Sequence, residues 1–259
     1  MKKLLLPFIC ILYILTGCET PDYLLSPLHS NSHPYYTIPV RADSIKSAIY
    51  ANIHYTVGHA NFNSRDDMYD FQGSLSRSHN FGYIQAYYAA NITIGNYGVH
   101  DYTNTYISYP QTDRYFGAYG FNGGVNFVAP LDKKGSEFRV GIETSLQKEF
   151  GDYLNFRKSL PDSSIDILDK ESFVKTVGIY FDFIRKARKS GNEIGYKLGF
   201  GNSYPSEGTF TGDDSRVSPA YVSNTFHFAK DRFNGFTQLN IGTKAYSFQI
   251  GAGYRLSKK

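Results

Sequence analysis

The chain has 259 residues, a formal net charge of +4, 23 tyrosines, 20 phenylalanines, 24 glycines and no tryptophan. So small a positive excess gives no basis for nucleic-acid binding. No apolar run after residue 17 approaches the ~20 residues of a membrane helix, which excludes a helical integral protein. A β-barrel is not excluded, because its strands alternate and hide their apolarity from an average.

In chain order, Lys2 and Lys3 give a positive start, and Leu4 to Leu15 form an apolar stretch too short to span a bilayer. It ends in Leu15-Thr16-Gly17-Cys18, which resembles a bacterial lipobox. That resemblance implies removal of residues 1–17 as a signal peptide and lipidation of Cys18, with outer-membrane lipid as its partner. Cys10 leaves with the signal, and the lipid consumes the Cys18 thiol. The mature chain then has no disulfide and no cysteine metal site. A diacylglycerol plus an amide-linked acyl chain such as palmitate suffices for stable anchoring. Residues 18–44 lack periodicity and read as a lipidated tether, leaving 45–259 as the β-barrel domain.

Period-two alternation begins near residue 47 and is clearest in three places. In 137–148, Phe138, Val140, Ile142, Thr144 and Leu146 share one face, opposite Glu137, Arg139, Gly141 and Glu143. In 193–203, Ile194, Tyr196, Leu198 and Phe200 oppose Glu193, Gly195, Lys197 and Gly199. In the last segment, Tyr246, Phe248, Ile250, Ala252 and Tyr254 oppose Ser247, Gln249, Gly251, Gly253 and Arg255. Weaker alternation covers 47–62, 67–76, 80–95, 114–128, 173–185, 219–229 and 234–243. The pattern predicts an all-β, antiparallel up-and-down outer-membrane-type barrel of about ten strands, with eight as the fallback. On this reading a serine at inward Gly141 is tolerated better than a charge at outward Ile142.

A soluble sandwich or a lipocalin-like barrel also alternates, so the connections carry the choice. With the chain starting on the periplasmic side, inner turns fall at Ser76–His79, Pro130–Ser136, Lys186–Asn192 and Ala229–Asn234. Long outer loops fall at 96–113, 150–171 and 204–218. Short periplasmic turns with longer outer loops are usual for outer-membrane barrels. The turns and tail are basic: Lys133, Lys134, Arg185, Lys186, Arg188, Lys189, Lys230, Arg232, Lys258 and Lys259. The loops are acidic, from Asp66, Asp67, Asp101 and Asp113 through Asp152, Asp162, Asp166, Asp169, Glu171 and Glu207 to Asp213 and Asp214. Two readings stand: plain solvated rims, or a basic rim meeting anionic headgroups or a periplasmic or envelope protein partner.

Inward Arg139, Glu143, Asp182, Glu193, Lys197 and Arg255 are charge-balanced. In a small barrel this suggests a packed network rather than an open pore. His54, His59, His79, His100, Asp101 and Asp66-Asp67 are the residue types a barrel enzyme needs, but none lies in a catalytic signature. No catalytic residue, metal ligand or cofactor is therefore assigned. Thr211-Gly212-Asp213-Asp214-Ser215 is at most a loose calcium loop.

The lipobox followed by a Tyr- and Asn-rich strand series resembles outer-membrane lipoproteins of the Bacteroidota with a β-barrel-like domain. Asp43-Ser44-Ile45 resembles the short O-glycosylation sequon of that phylum. The resemblance implies an outer-membrane location and transfers no catalytic residue. Two function classes follow. One is a noncatalytic envelope component, structural or accessory, with a closed barrel. The other is a barrel enzyme acting on lipid or peptide, or a small pore. The first test is processing. Mass spectrometry of the mature N-terminus is expected to find acylated Cys18, and Cys18→Ala to leave the precursor uncut there. An unmodified N-terminus elsewhere contradicts both.

Overall fold

The computed structural model describes residues 23–29, 31–61, 66–100, 102–103, 108–109, 112–133, 135–162, 165, 167–187, 191–205 and 219–257. The alternating segments form ten strands: β1 (Ser47–Ala60), β2 (Asp66–Asn80), β3 (Ile84–Val99), β4 (Thr112–Pro130), β5 (Glu137–Phe150), β6 (Phe173–Lys186), β7 (Glu193–Pro205), β8 (Ala220–Lys230), β9 (Phe233–Gly242) and β10 (Ala245–Arg255). Each pairs antiparallel with its neighbour in sequence. The seam between β10 and β1, from Ala245↔Ala60 to Arg255↔Tyr50, closes the barrel. The ten-stranded up-and-down architecture is as the alternation predicts.

The two faces also match. Ile142 is 62% exposed on the outside, while its neighbours in β5, Glu143 and Arg139, are buried inside. Ile53, Ile92, Ile179 and Ile250 are exposed near the middle of their strands. Exposed aromatics flank them: Tyr69, Tyr115, Phe150 and Tyr246 toward one end, Phe81, Tyr83, Phe127 and Phe233 toward the other. An apolar outer belt with aromatic girdles is what a lipid-facing barrel surface requires, because water would penalise this much bare hydrocarbon. No helix among the described residues is long and apolar enough to cross a membrane.

Connections alternate between a short-turn end and a long-loop end. Short turns occupy 81–83, 131–136, 187–192 and 231–232, and the longer connections are 100–111, 151–172 and 206–219. The turn expected at Ser76–His79 lies a few residues later. Ser76 and Ser78 face the polar interior, so alternation continues through them and β2 extends to Asn80. The 151–172 connection contains a helix, α1 (Asp152–Ser159). Gly151 leaves β5 with φ 114, a left-handed conformation that favours glycine, and Tyr153, Leu154 and Arg157 share the buried face of α1.

The largest departure concerns the stretch read as a tether. Its described residues from Tyr23 to Val40 lie within the barrel, with Tyr23 at 1% exposure and Val40 at 0%. Tyr23 and Leu24 pair in parallel with Ile167 and Leu168 at the long-loop end. Pro39 and Val40 accept hydrogen bonds from Gln85 and Asn80 at the short-turn end. The segment therefore runs the length of the lumen before β1 begins. Residue periodicity could not announce this. A chain that fills a lumen meets polar groups on all sides and needs no amphipathic repeat.

Gly141 faces inward as expected, but a Cβ there would lie 2.6 Å from Tyr180 Cζ and 2.7 Å from Asn126 Cβ. Gly141→Ser is therefore not the milder change. The appropriate control is Ile142→Leu. Ile142→Arg is expected to cost about 2–4 kcal/mol if the site lies near the bilayer midplane, and Ile142→Leu little. Denaturant titration in detergent micelles or vesicles, read with heat-modifiable gel mobility, measures both. Equal stability of the two variants would show that Ile142 does not face lipid.

Candidate functional site

The inward residues of the barrel are mostly polar, and in the middle of the lumen they bind the backbone of residues 31–40. Gln249 donates to Asn31 O at 3.2 Å, Asn122 to Ser32 O at 2.6 Å, and Gln238 to His33 O at 3.0 Å. Further along, Arg139 donates to Ile38 O at 3.2 Å and Gln85 to Pro39 O at 3.0 Å. Side amides at these positions supply the carbonyl partners that an irregular buried backbone lacks. The segment's side chains return contacts. Ser32 Oγ donates to Thr176 at 2.8 Å, Tyr35 stacks on His227 at 4.0 Å between centroids, and Tyr36 lies 5.1 Å from Tyr87. The close approach of His227 requires glycine opposite it: a Cβ on Gly195 would fall 2.2 Å from His227 Cε1.

The charges expected in the lumen form two clusters. In one, Lys197 Nζ donates to Glu143 Oε2 at 2.5 Å, the Tyr87 hydroxyl donates to the same oxygen at 3.2 Å, and His33 Nδ1 lies 3.8 Å from Glu143 Oε1. In the other, Arg139 Nε donates to Glu137 at 2.6 Å and its guanidinium lies 3.8 Å from Asp182, which bonds His227 Nε2 at 2.8 Å. Glu193 is partly buried at the short-turn end, 4.0 Å from Lys186. Arg255 is buried beside the Tyr50 register position. This is a packed ionic network threaded by the segment, as charge balance suggests. Asp43 of the glycosylation-like triplet pairs with Lys186 at that same end.

The long-loop end carries an apolar cap. Tyr23, Leu24, Leu25 and Leu28 pack against Met68, Tyr97, Phe116, Tyr153, Ile167 and Leu168. Arg157 of α1 is 0% exposed beneath it. Its guanidinium donates to Glu149 at 2.5 Å and to Asp169 O at 2.6 Å, and Asp169 Oδ2 reaches His29 Nε2 at 3.3 Å. Burial pushes the Asp169 carboxyl up, but His29 and Arg157 more than offset this and hold it below the ordinary carboxylate range.

The histidines singled out as catalytic candidates divide between the lumen and the two ends, with His59 and His100 at the long-loop end against Asp67 and Asp66. His54 is buried in the lumen against Phe236. His59 pairs with Asp67 on the outside near the long-loop end. His79 lies at the opposite end beside Phe81 and Tyr88. His100 gives its backbone N–H to Asp66 Oδ1 at 3.0 Å. Asp101, Cys18 and Thr211–Ser215 lie outside the described residues, as do Lys134, Arg188, Lys189, Lys258, Lys259, Asp166, Glu207, Asp213 and Asp214. The residues that sequence reasoning missed are His29, His33 and His227, each beside a buried carboxylate. His227 was recoverable from its inward parity in β8. His29 and His33 were hidden by reading their segment as solvated. No group of three or more His, Cys, Asp or Glu residues among the described ones is placed to hold a metal ion.

The chain matches no protein-family description and no curated protein. Among solved structures it is similar to the β-domain of the Bordetella autotransporter BrkA, at 11% identity over 83% of this chain and 100% of that one, with a TM-score of 0.49. It is similar to an outer-membrane channel of Pseudomonas putida F1, at 10% identity over 83% and 97%, TM-score 0.43. It also resembles the translocator domain of the Neisseria meningitidis autotransporter NalP, at 9% identity over 83% and 90%, TM-score 0.36. These likenesses concern barrel architecture and carry no activity across.

Removing one partner of a buried ion pair leaves an uncompensated charge, at about 3–5 kcal/mol. Arg157→Met is expected to lose that much stability, against less than about 0.5 kcal/mol for exposed Lys158→Met. Because the folded pKa of Asp169 is depressed, its stabilising contribution is present above the unfolded value near 4. It is lost as pH falls through the folded value. Denaturant midpoints in the wild type are expected to fall in that acid window and to fall less in Asp169→Asn. Equal pH slopes would refute the assignment.

Proposed function

We propose that this protein is a noncatalytic outer-membrane lipoprotein, anchored through Cys18, whose barrel is closed to solutes and serves as a structural or accessory component of the envelope. The observation that carries this reading is the occupied lumen: residues 23–29 and 31–40 fill the path a solute would take, and buried hydrogen bonds hold them there. The apolar outer belt and its aromatic girdles support membrane insertion. Lys133, Arg185, Lys230 and Arg232 collect at the short-turn end, where anionic headgroups or an envelope protein would meet them. His54 and His79 lie away from the other candidates, and His59 meets Asp67 on the outer face while Asp66 is buried on the inner one, which favours this reading over a barrel enzyme.

One observation favours a second reading, a gated pore. The middle of the lumen wall is largely polar, lined by Gln72, Asn122, Gln147, Gln238 and Gln249, so withdrawal of the segment would leave an aqueous path through it. Planar-bilayer recording separates the two. The intact protein is expected to show no steady conductance, and deletion of residues 23–40 to produce conductance steps while heat-modifiable mobility is retained. A stable open channel in the intact protein would replace the closed reading with the pore. Turnover of labelled phospholipid, lipid A or peptide, abolished by His59→Ala or His100→Ala, would replace it with an enzyme.

A further inference from the structure

The direction in which the N-terminal segment threads the barrel fixes where a lipid on Cys18 must reside. Tyr23 is bound at the long-loop end. Its backbone N–H donates to Asn61 at 3.4 Å, its hydroxyl donates to Lys244 O, and it pairs with Ile167. Asn61 lies just beyond the end of β1, and Lys244 lies between β9 and β10, both at that end. Contacts then move steadily down the lumen: Leu25 O with Tyr153, Ser32 with Asn122 and Thr176, Tyr35 with His227, Ile38 with Arg139. At the far end Arg41 N donates to Glu137 at 2.9 Å and its guanidinium stacks 3.8 Å over Tyr83 in a short turn. The chain thus crosses the barrel once as a buried segment before β1 crosses it in the opposite direction.

Five residue steps separate Cys18 from Tyr23. At ~3.3–3.6 Å per extended residue they reach no more than about 18 Å. The hydrocarbon core of a bilayer is ~30 Å thick. A lipid on Cys18 therefore cannot reach the leaflet at the short-turn end. We infer that the mature N-terminus crosses the membrane through its own barrel, and that the Cys18 lipid inserts in the leaflet at the long-loop end. With short turns facing the periplasm, as is usual for such barrels, that is the external leaflet. The anchor then fastens the rim from which the loops emerge, contrary to the periplasmic start expected from the lipobox. This inference rests on the lipidation proposed above.

The test uses thiol labelling of the full-length protein in cells with a membrane-impermeant maleimide, before and after permeabilisation. The sequence holds only Cys10 and Cys18, one removed and the other consumed if processing occurs. The variants are Asp22→Cys, next in sequence to Tyr23, Lys158→Cys on the exposed face of α1 and Arg232→Cys in an exposed short turn. Asp22→Cys and Lys158→Cys are expected to label equally on intact and permeabilised cells, and Arg232→Cys only after permeabilisation. Labelling of Asp22→Cys only after permeabilisation, with Lys158→Cys labelled on intact cells, overturns the threading. Labelling of Arg232→Cys alone on intact cells overturns the assignment to the external leaflet. Wild-type protein is expected to stay unlabelled even when denatured. A reactive wild-type thiol overturns the lipid anchor itself, and is distinguishable because it needs no introduced cysteine. Heat-modifiable mobility of each variant confirms that a folded barrel was probed.

Discussion

A ten-stranded barrel must be filled. Eight strands enclose a space that their own inward side chains can occupy, and each added strand widens it. Here the inward positions carry amides, hydroxyls and charges, which are costly to bury without partners. The segment from Tyr23 to Val40 meets both demands, because its backbone offers carbonyls to Gln85, Asn122, Gln238 and Gln249. The dependence is mutual. An irregular backbone at membrane depth survives only where protein surrounds it and satisfies its polar groups.

The filling is layered. An apolar cap of Leu24, Leu28, Tyr153 and Ile167 closes one end, amide and hydroxyl contacts occupy the middle, and ionic and aromatic groups around Arg139, His227 and Tyr35 lie toward the other end. The buried ion pairs are weak evidence for net stability, since desolvation offsets much of their attraction. Their effect is positional. Glu143 can accept from Lys197 and Tyr87 only with β3, β5 and β7 in this arrangement. Arg157 ties α1 to both the end of β5 and the loop before β6.

The barrel was legible in the sequence because alternation is a property of each strand by itself. Ile142 out and Glu143 in follow from parity alone. The parity of Ser76 and Ser78 was equally available, but small polar residues are also what turns are made of. The threaded segment was not legible, because nothing in Asn31-Ser32-His33 distinguishes a solvated tether from a chain buried among amides. Its partners are far away in sequence: His33 meets Tyr221, and Asn31 meets Ser247 and Gln249. The histidine–carboxylate pairs were missed for the same reason, since each depends on two distant elements.

The closing seam has a consequence for how the molecule comes to exist. The first strand finds its last partner in the final strand, Ala60 against Ala245, so the pairing with the greatest separation along the chain completes the cylinder. Such distant pairings carry a high loop-closure cost and are slow to form. The inner segment precedes β1 and is bound by residues from strands all around the wall. A sheet that curls around it gains those contacts progressively, whereas a finished cylinder would have to admit a polar chain end to end. A segment in place before closure would serve as a mandrel, the form about which the sheet bends until its edges meet.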